Sequence, residues 1–141
     1  MKFRLLMLGL TVSLFSTAAV AGGISIEPGM WETTMTMEMS MIPQPQVHSS
    51  TECISESELN PDDFKVDEDS PCDIADVVTD GNTVSWAIHC PSDGGMSMDG
   101  QWSMTSHGDT LTGGGSMSGG SDAMQIEMNI KWEGKRIGDC E

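Results

Sequence analysis

The chain has 141 residues, 22 of them acidic and six basic, for a formal charge of −16 at pH 7. Such a surface repels the phosphates of nucleic acids and anionic lipid headgroups, so neither is an expected partner. The length suits one domain with a modest core. Its apolar material is unusual, with 13 methionines and no tyrosine.

The chain opens with a leader pattern. Lys2 and Arg4 form a basic head, and residues 5–15 (LLMLGLTVSLF) are an apolar run too short to span a bilayer as a helix. Ala19, Val20 and Ala21 supply the small residues that a signal peptidase accepts. The expectation is a signal peptide at residues 1–21 and a single β-rich domain at 22–141, periplasmic or secreted. No Cys follows the cleavage point, which argues against a lipid anchor. No later stretch is apolar enough for stable membrane insertion after cleavage. Loss of 21 residues, Lys2 and Arg4 among them, leaves 120 residues with four basic against 22 acidic side chains, a charge of −18. A solvated acidic surface accounts for this more simply than a cationic partner does.

The mature part begins with residues 22–29, ending in a Pro28-Gly29 turn signal. Residues 31–42 (WETTMTMEMSMI) then place Trp31, Thr33, Met35, Met37, Met39 and Met41 at every second position. That period is two rather than 3.6, and predicts a half-buried strand. Its length calls for a bend or bulge, and Pro43 and Pro45 end or bend it. Val47, Ser49, Thr51 and Cys53 begin a second predicted strand. Ser55 with Glu58 matches a capping box, so one short helical turn is expected there, stopped at Asn60-Pro61. Residues 61–71 (PDDFKVDEDSP) form an acidic loop. Asp62, Asp63, Asp67, Glu68 and Asp69 lack the order and closing Glu of a calcium loop.

From Cys72 onward, strand and turn alternate. Residues 74–79 lead to the turn Asp80-Gly81-Asn82, and Val84, Trp86, Ile88 and Cys90 form the apolar phase of the next strand. Met96, Met98, Gly100, Trp102 and Met104 follow, then a turn at His107-Gly108-Asp109. Leu111, Gly113, Gly115 and Met117 come next, then a turn over residues 119–122. Met124, Ile126, Met128, Ile130 and Trp132 form the last apolar phase. The expected fold is therefore all-β, an antiparallel meander of six to eight strands closing into a small barrel or a strongly curled sheet. Exposed edges invite aggregation, which favours closure. The expected interior is Trp31, Trp86, Trp102 and Trp132, with Met124 and Met128.

Four cysteines in an exported small domain read as two disulfides. No paired C-x-x-C supports a zinc site. Spacing does not choose among the three pairings. Cys53–Cys72 with Cys90–Cys140 is the simplest unthreaded arrangement and is the expectation.

Pro28-Gly29-Met30-Trp31-Glu32 followed by alternating Thr and Met resembles the opening of the bacterial DUF3617 family of small exported proteins. Thr51-Glu52-Cys53-Ile54, the Gly-, Ser- and Met-rich meander and the closing Gly134-x-x-x-Gly138-x-Cys140 continue the resemblance over most of the mature chain. Met30 stands where the family more usually shows Leu, and Arg136 where it often shows Trp. The resemblance implies a secreted or periplasmic β-rich domain and transfers no catalytic residue, because the family has no established activity.

Chemistry-bearing constellations are sparse. Thioethers select Cu(I), so Met35, Met37, Met39 and Met41 are the metal candidates, and copper is the one candidate cofactor. Methionine is more often a flexible core filler, and next-but-one residues on a strand stand ~6.6 Å apart. Methionines as oxidant traps would need exposure. His48, His89 and His107 are isolated, with no metal-ligand spacing. Residues 114–118 (GGSMS) come near a nucleophile elbow but lie in a meander. With the cysteines paired no thiolate remains, and 22 carboxylates guarantee accidental acid pairs. No catalytic residue is assigned. The leading expectation is a non-enzymatic exported domain whose Met/Trp-lined interior is either plain core or a pocket for a small apolar ligand, with another envelope protein as the other candidate partner. A Met-based copper-binding protein is the alternative, and an enzyme of unknown chemistry the third.

Overall fold

A computed structural model describes residues 22–61, 71–91, 97–121 and 123–141. The expected leader, the acidic side chains of residues 62–69 and Met96 lie outside the described residues. Among the described residues nine strands follow in order: β1 (Ile24–Ser25), β2 (Gly29–Met39), β3 (Ile42–Ile54), β4 (Glu58–Leu59), β5 (Asp73–Asp80), β6 (Thr83–Cys90), β7 (Ser97–Ser106), β8 (Thr110–Ser121) and β9 (Met124–Gly138). Seven of them form one antiparallel sheet in the order β3-β2-β9-β8-β7-β6-β5, and β1 pairs with β4 in a separate two-stranded ribbon.

The alternating pattern of each long strand becomes one continuous face of this sheet. Register lines residues up in rows across it. One row runs Val84, Met104, Gly113, Trp132 and Met35, from β6 to β2. The next runs Trp86, Trp102, Gly115, Ile130 and Met37. Trp31, Val84, Trp86, Trp102, Met104 and Leu111 are buried on this face, and Ile24, Ile26 and Leu59 cover them from the ribbon side.

Glycine on β8 shapes the centre. The rings of Trp102 on β7 and Trp132 on β9 are stacked, with centroids 5.1 Å apart and planes 25° apart. They come from strands on either side of β8, where Gly113 and Gly115 face them. A Cβ on Gly115 would lie 2.6 Å from two carbons of the Trp102 ring. The side chain missing at Gly115 is therefore space that the Trp102 indole occupies.

The ribbon is pinned by a specific set of bonds. Ser106, a buried polar residue, donates from Oγ to Ser25 O and accepts from Gly108 N. Trp31 Nε1 donates to Glu27 O at 2.9 Å, and Thr79 Oγ1 donates to Gly22 O. The short segment 22–27 thus bonds β2 and β5, which are separated by four other strands in the sheet.

Four expectations are corrected. First, the sheet does not close into a barrel: β3 and β5 are its two edges. β3 carries Pro43 and Pro45, and proline lacks the N–H that a further partner would need. β5 shifts register between Ala75 and Val78, where Asp76 has φ 52°. Both are devices that blunt an edge. Second, no helical turn forms at Ser55–Glu58. Glu58 pairs with Ser25 in the ribbon, and Ile26 N donates to Ser57 O. Burial of Leu59 against Ile24 overrides the local capping preference.

Third, the disulfides are Cys53–Cys140 and Cys72–Cys90. Register explains both. Met30 has Cys53 on one side and Gly138 on the other, so the two residues after Gly138 carry Cys140 past β2 to Cys53. Asp73 pairs with His89, which brings Cys72 opposite Cys90. Fourth, Met124 is 47 % exposed, because it lies at the hairpin end of β9, beyond the core. Trp132 and Met128 are half-buried rather than fully interior.

Two outcomes are expected. Non-reducing peptide mass spectrometry should find the 53–140 and 72–90 links. Removing the longer-range link with paired Cys→Ala changes should cost about 4–5 kcal/mol in denaturant unfolding, and removing the shorter one about 3 kcal/mol. Gly115→Val should cost about 2–3 kcal/mol by overpacking the indole, with the near-ultraviolet circular dichroism of the tryptophans altered.

Candidate binding cleft and methionine face

The buried core fills only one end of the apolar face. Beside it lies a cleft of about 520 Å³. Trp31 and Thr33 of β2, Met104 of β7, Leu111 of β8 and Trp132 and Gly134 of β9 form its floor. Ile54, Leu59 and the Cys53 end of β3 form a wall, and Glu52 and Glu56 contribute its charged groups. The volume lies within the range of small-molecule sites, which are mostly apolar with a few placed polar groups. Among the described residues, no lysine or arginine lines it. Arg136, opposite Trp31 in register, is engaged with Pro28 O (Nε, 2.8 Å) and Asp139.

Gly29 shapes the approach to this end. Its φ of 151° lies outside the usual range for other residues, and a Cβ there would lie 2.4 Å from Gly138 O. The Pro28-Gly29 turn thus lets β2 start tight against the end of β9.

Beyond the cleft the apolar face continues without becoming core. Met35, Met37, Met39, Met117, Ile126, Met128, Ile130 and Trp132 are all half-buried, while the alternate residues of β9 are exposed. Trp102 Nε1 is buried and has no hydrogen-bond partner among the described residues. It is a donor set in otherwise apolar surroundings, near Gly100 and Met117.

Three of the four candidate metal-ligating methionines stay together, and one does not. Met35, Met37 and Met39 share the inner face of β2, whereas Met41 lies in the turn after it and is 59 % exposed. The histidines separate. His89 lies on the outer face, its Nδ1 2.6 Å from Asp99 Oδ1, and His107 lies in the turn before β8. His48 does what its strand pattern concealed: β3 pairs with β2 so that His48 stands directly opposite Met35. Val47, in the alternate phase of the strand, faces outward and is 65 % exposed. Among the described residues, no group of three or more His, Cys, Asp or Glu could hold a metal ion.

The near-match to a nucleophile elbow is a plain piece of strand. Ser116 sits in mid-β8 between Gln101 and Asn129.

No curated protein and no solved structure matches the chain. The model of a family described as a protein of unknown function, DUF3617, matches residues 26–140, from the covering ribbon to the last cysteine, and the chain belongs to that family.

Proposed function

We propose that this is an exported, non-enzymatic binding domain that holds a small apolar molecule against the Trp/Met face of its sheet. The observation that carries the reading is the cleft of about 520 Å³ floored by Trp31, Trp132, Met104 and Leu111. Of these, Trp31, Met104 and Leu111 are buried and Trp132 is half-buried. Here the apolar face runs on half-buried along β2, β8 and β9. Methionine suits such a surface, because its unbranched, polarisable side chain adapts to varied shapes. Glu52 and Glu56 in the cleft disfavour a carboxylate-bearing ligand and favour a neutral or cationic one. Two disulfides support an oxidising compartment, and the leader pattern of residues 1–21 supports export to the periplasm or beyond.

Titration with the neutral dye N-phenyl-1-naphthylamine tests the binding. The oxidised protein should enhance dye emission and lose part of its own tryptophan emission. Thr33→Trp, which fills the cleft, should weaken this about tenfold with unchanged far-ultraviolet circular dichroism. An oxidised, folded protein that never takes up the dye would sink the reading. Export is tested separately: expressed in a bacterial host, the protein should appear in the periplasmic fraction with a mass that starts at Gly22.

A further inference from the structure

We propose that Met35, Met37 and His48 form a Cu(I) site on the open face of β2 and β3, distinct from the cleft. None of the three lines that cleft. Soft thioethers select Cu(I), and imidazole completes such a donor set. Two methionines at next-but-one positions are too few by themselves, and their stems stand ~6.6 Å apart along the strand. The register changes this. His48 lies directly opposite Met35, and Gln46 opposite Met37. Residues facing each other across an antiparallel pair have Cβ atoms ~4.5–5.5 Å apart, and the diagonal neighbour lies within reach of long side chains. An imidazole and two flexible thioethers can therefore converge above one point of the sheet.

The surroundings fit a soft monovalent cation. All four cysteines are in disulfides, so no thiolate competes for it. Harder ions find no cluster of oxygen and imidazole ligands among the described residues. Trp132 lies opposite Met35 on the other flank, its ring stacked on Trp102, and bounds the site on the β9 side. Met35 and Met37 are half-buried and His48 is exposed on the edge strand, so the ion has an entry path. The formal charge of −16 concentrates cations around the molecule. Met39 is outside the set, because the register shifts beyond Met37 and leaves Met39 opposite Ile42.

The test is an anaerobic Cu(I) titration of the oxidised full-length mature protein, in competition with bathocuproine disulfonate and with hydroxylamine as reductant. Mass spectrometry confirms that both disulfides stay intact. The expected result is one bound Cu(I), with quenching of tryptophan emission. Met35→Leu, Met37→Leu and His48→Gln should each weaken binding about tenfold or more, while Met41→Leu and Met124→Leu leave it unchanged. The three variants alter half-buried or exposed side chains, and their circular dichroism should match the parent. The proposal is overturned if the chelator retains all the copper, or if binding survives the double change Met35→Leu with His48→Gln. Dye binding in the cleft is read separately, so failure here and failure there are distinguishable.

Discussion

The glycines of β8 are the constraint on which the interior depends. Trp102 and Trp132 belong to strands that do not touch, yet their rings stack. They do so because Gly113 and Gly115 put nothing but backbone between them. A Cβ at Gly115 would run into the Trp102 ring, so a larger residue there would disturb the stack. The same stack ties the buried end of the face, around Trp86 and Met104, to the half-buried end, around Ile130 and Met35. The boundary between core and open surface therefore runs along β8 and β9, and the low-bulk strand sets its position.

An open sheet of this size has to manage two edges and one uncovered face. The edges are blunted by two prolines on β3 and a bulge on β5. The disulfides sit at the same two places: one fastens β3 to the chain after β9, the other fastens Cys72 to the end of β6. Each link thus holds an edge strand that has only one neighbour. The ribbon β1–β4 then covers one end of the face, with Ser106 and Trp31 bonding it in place. Nothing in this arrangement requires the other end to be dry. In a plain structural domain, the methionine-bearing half of β2 would be an unneeded exposure of apolar surface.

Where the hydrophobic alternation is strong, it locates the strands. β2, β6, β7 and β9 show one clean apolar phase each, and the buried residues Trp31, Val84, Trp86, Trp102 and Met104 fall on it. β3 shows why the rest was harder to read. Gln46, His48, Ser50 and Glu52 occupy its inner phase, and Val47 and Ser49 its outer one. A strand that is polar on both sides and exposed along its length has no pattern of its own to fix its register; the partner fixes it. The histidine opposite Met35 was therefore invisible in the sequence, although both residues were noticed separately. The disulfide pairing was hidden for the same reason, since it depends on which strands are neighbours. The failed helical turn has another cause. A capping signal worth about 1 kcal/mol competes with burial of a whole leucine, worth about 1.5–3 kcal/mol, and Leu59 wins.

The polar inner phase of β3 also bears on what the face is for. An edge strand that only closed off the core would gain by placing valine or isoleucine opposite Met35 and Met37, as β9 does with Trp132 and Ile130 on the other side. β3 instead offers imidazole and amide to the methionines, and a carboxylate, Glu52, to the cleft. These polar groups are exposed on the edge strand, where they stay solvated beside the apolar face. On the proposed reading, the apolar half of the face provides the general attraction and β3 the chemical discrimination.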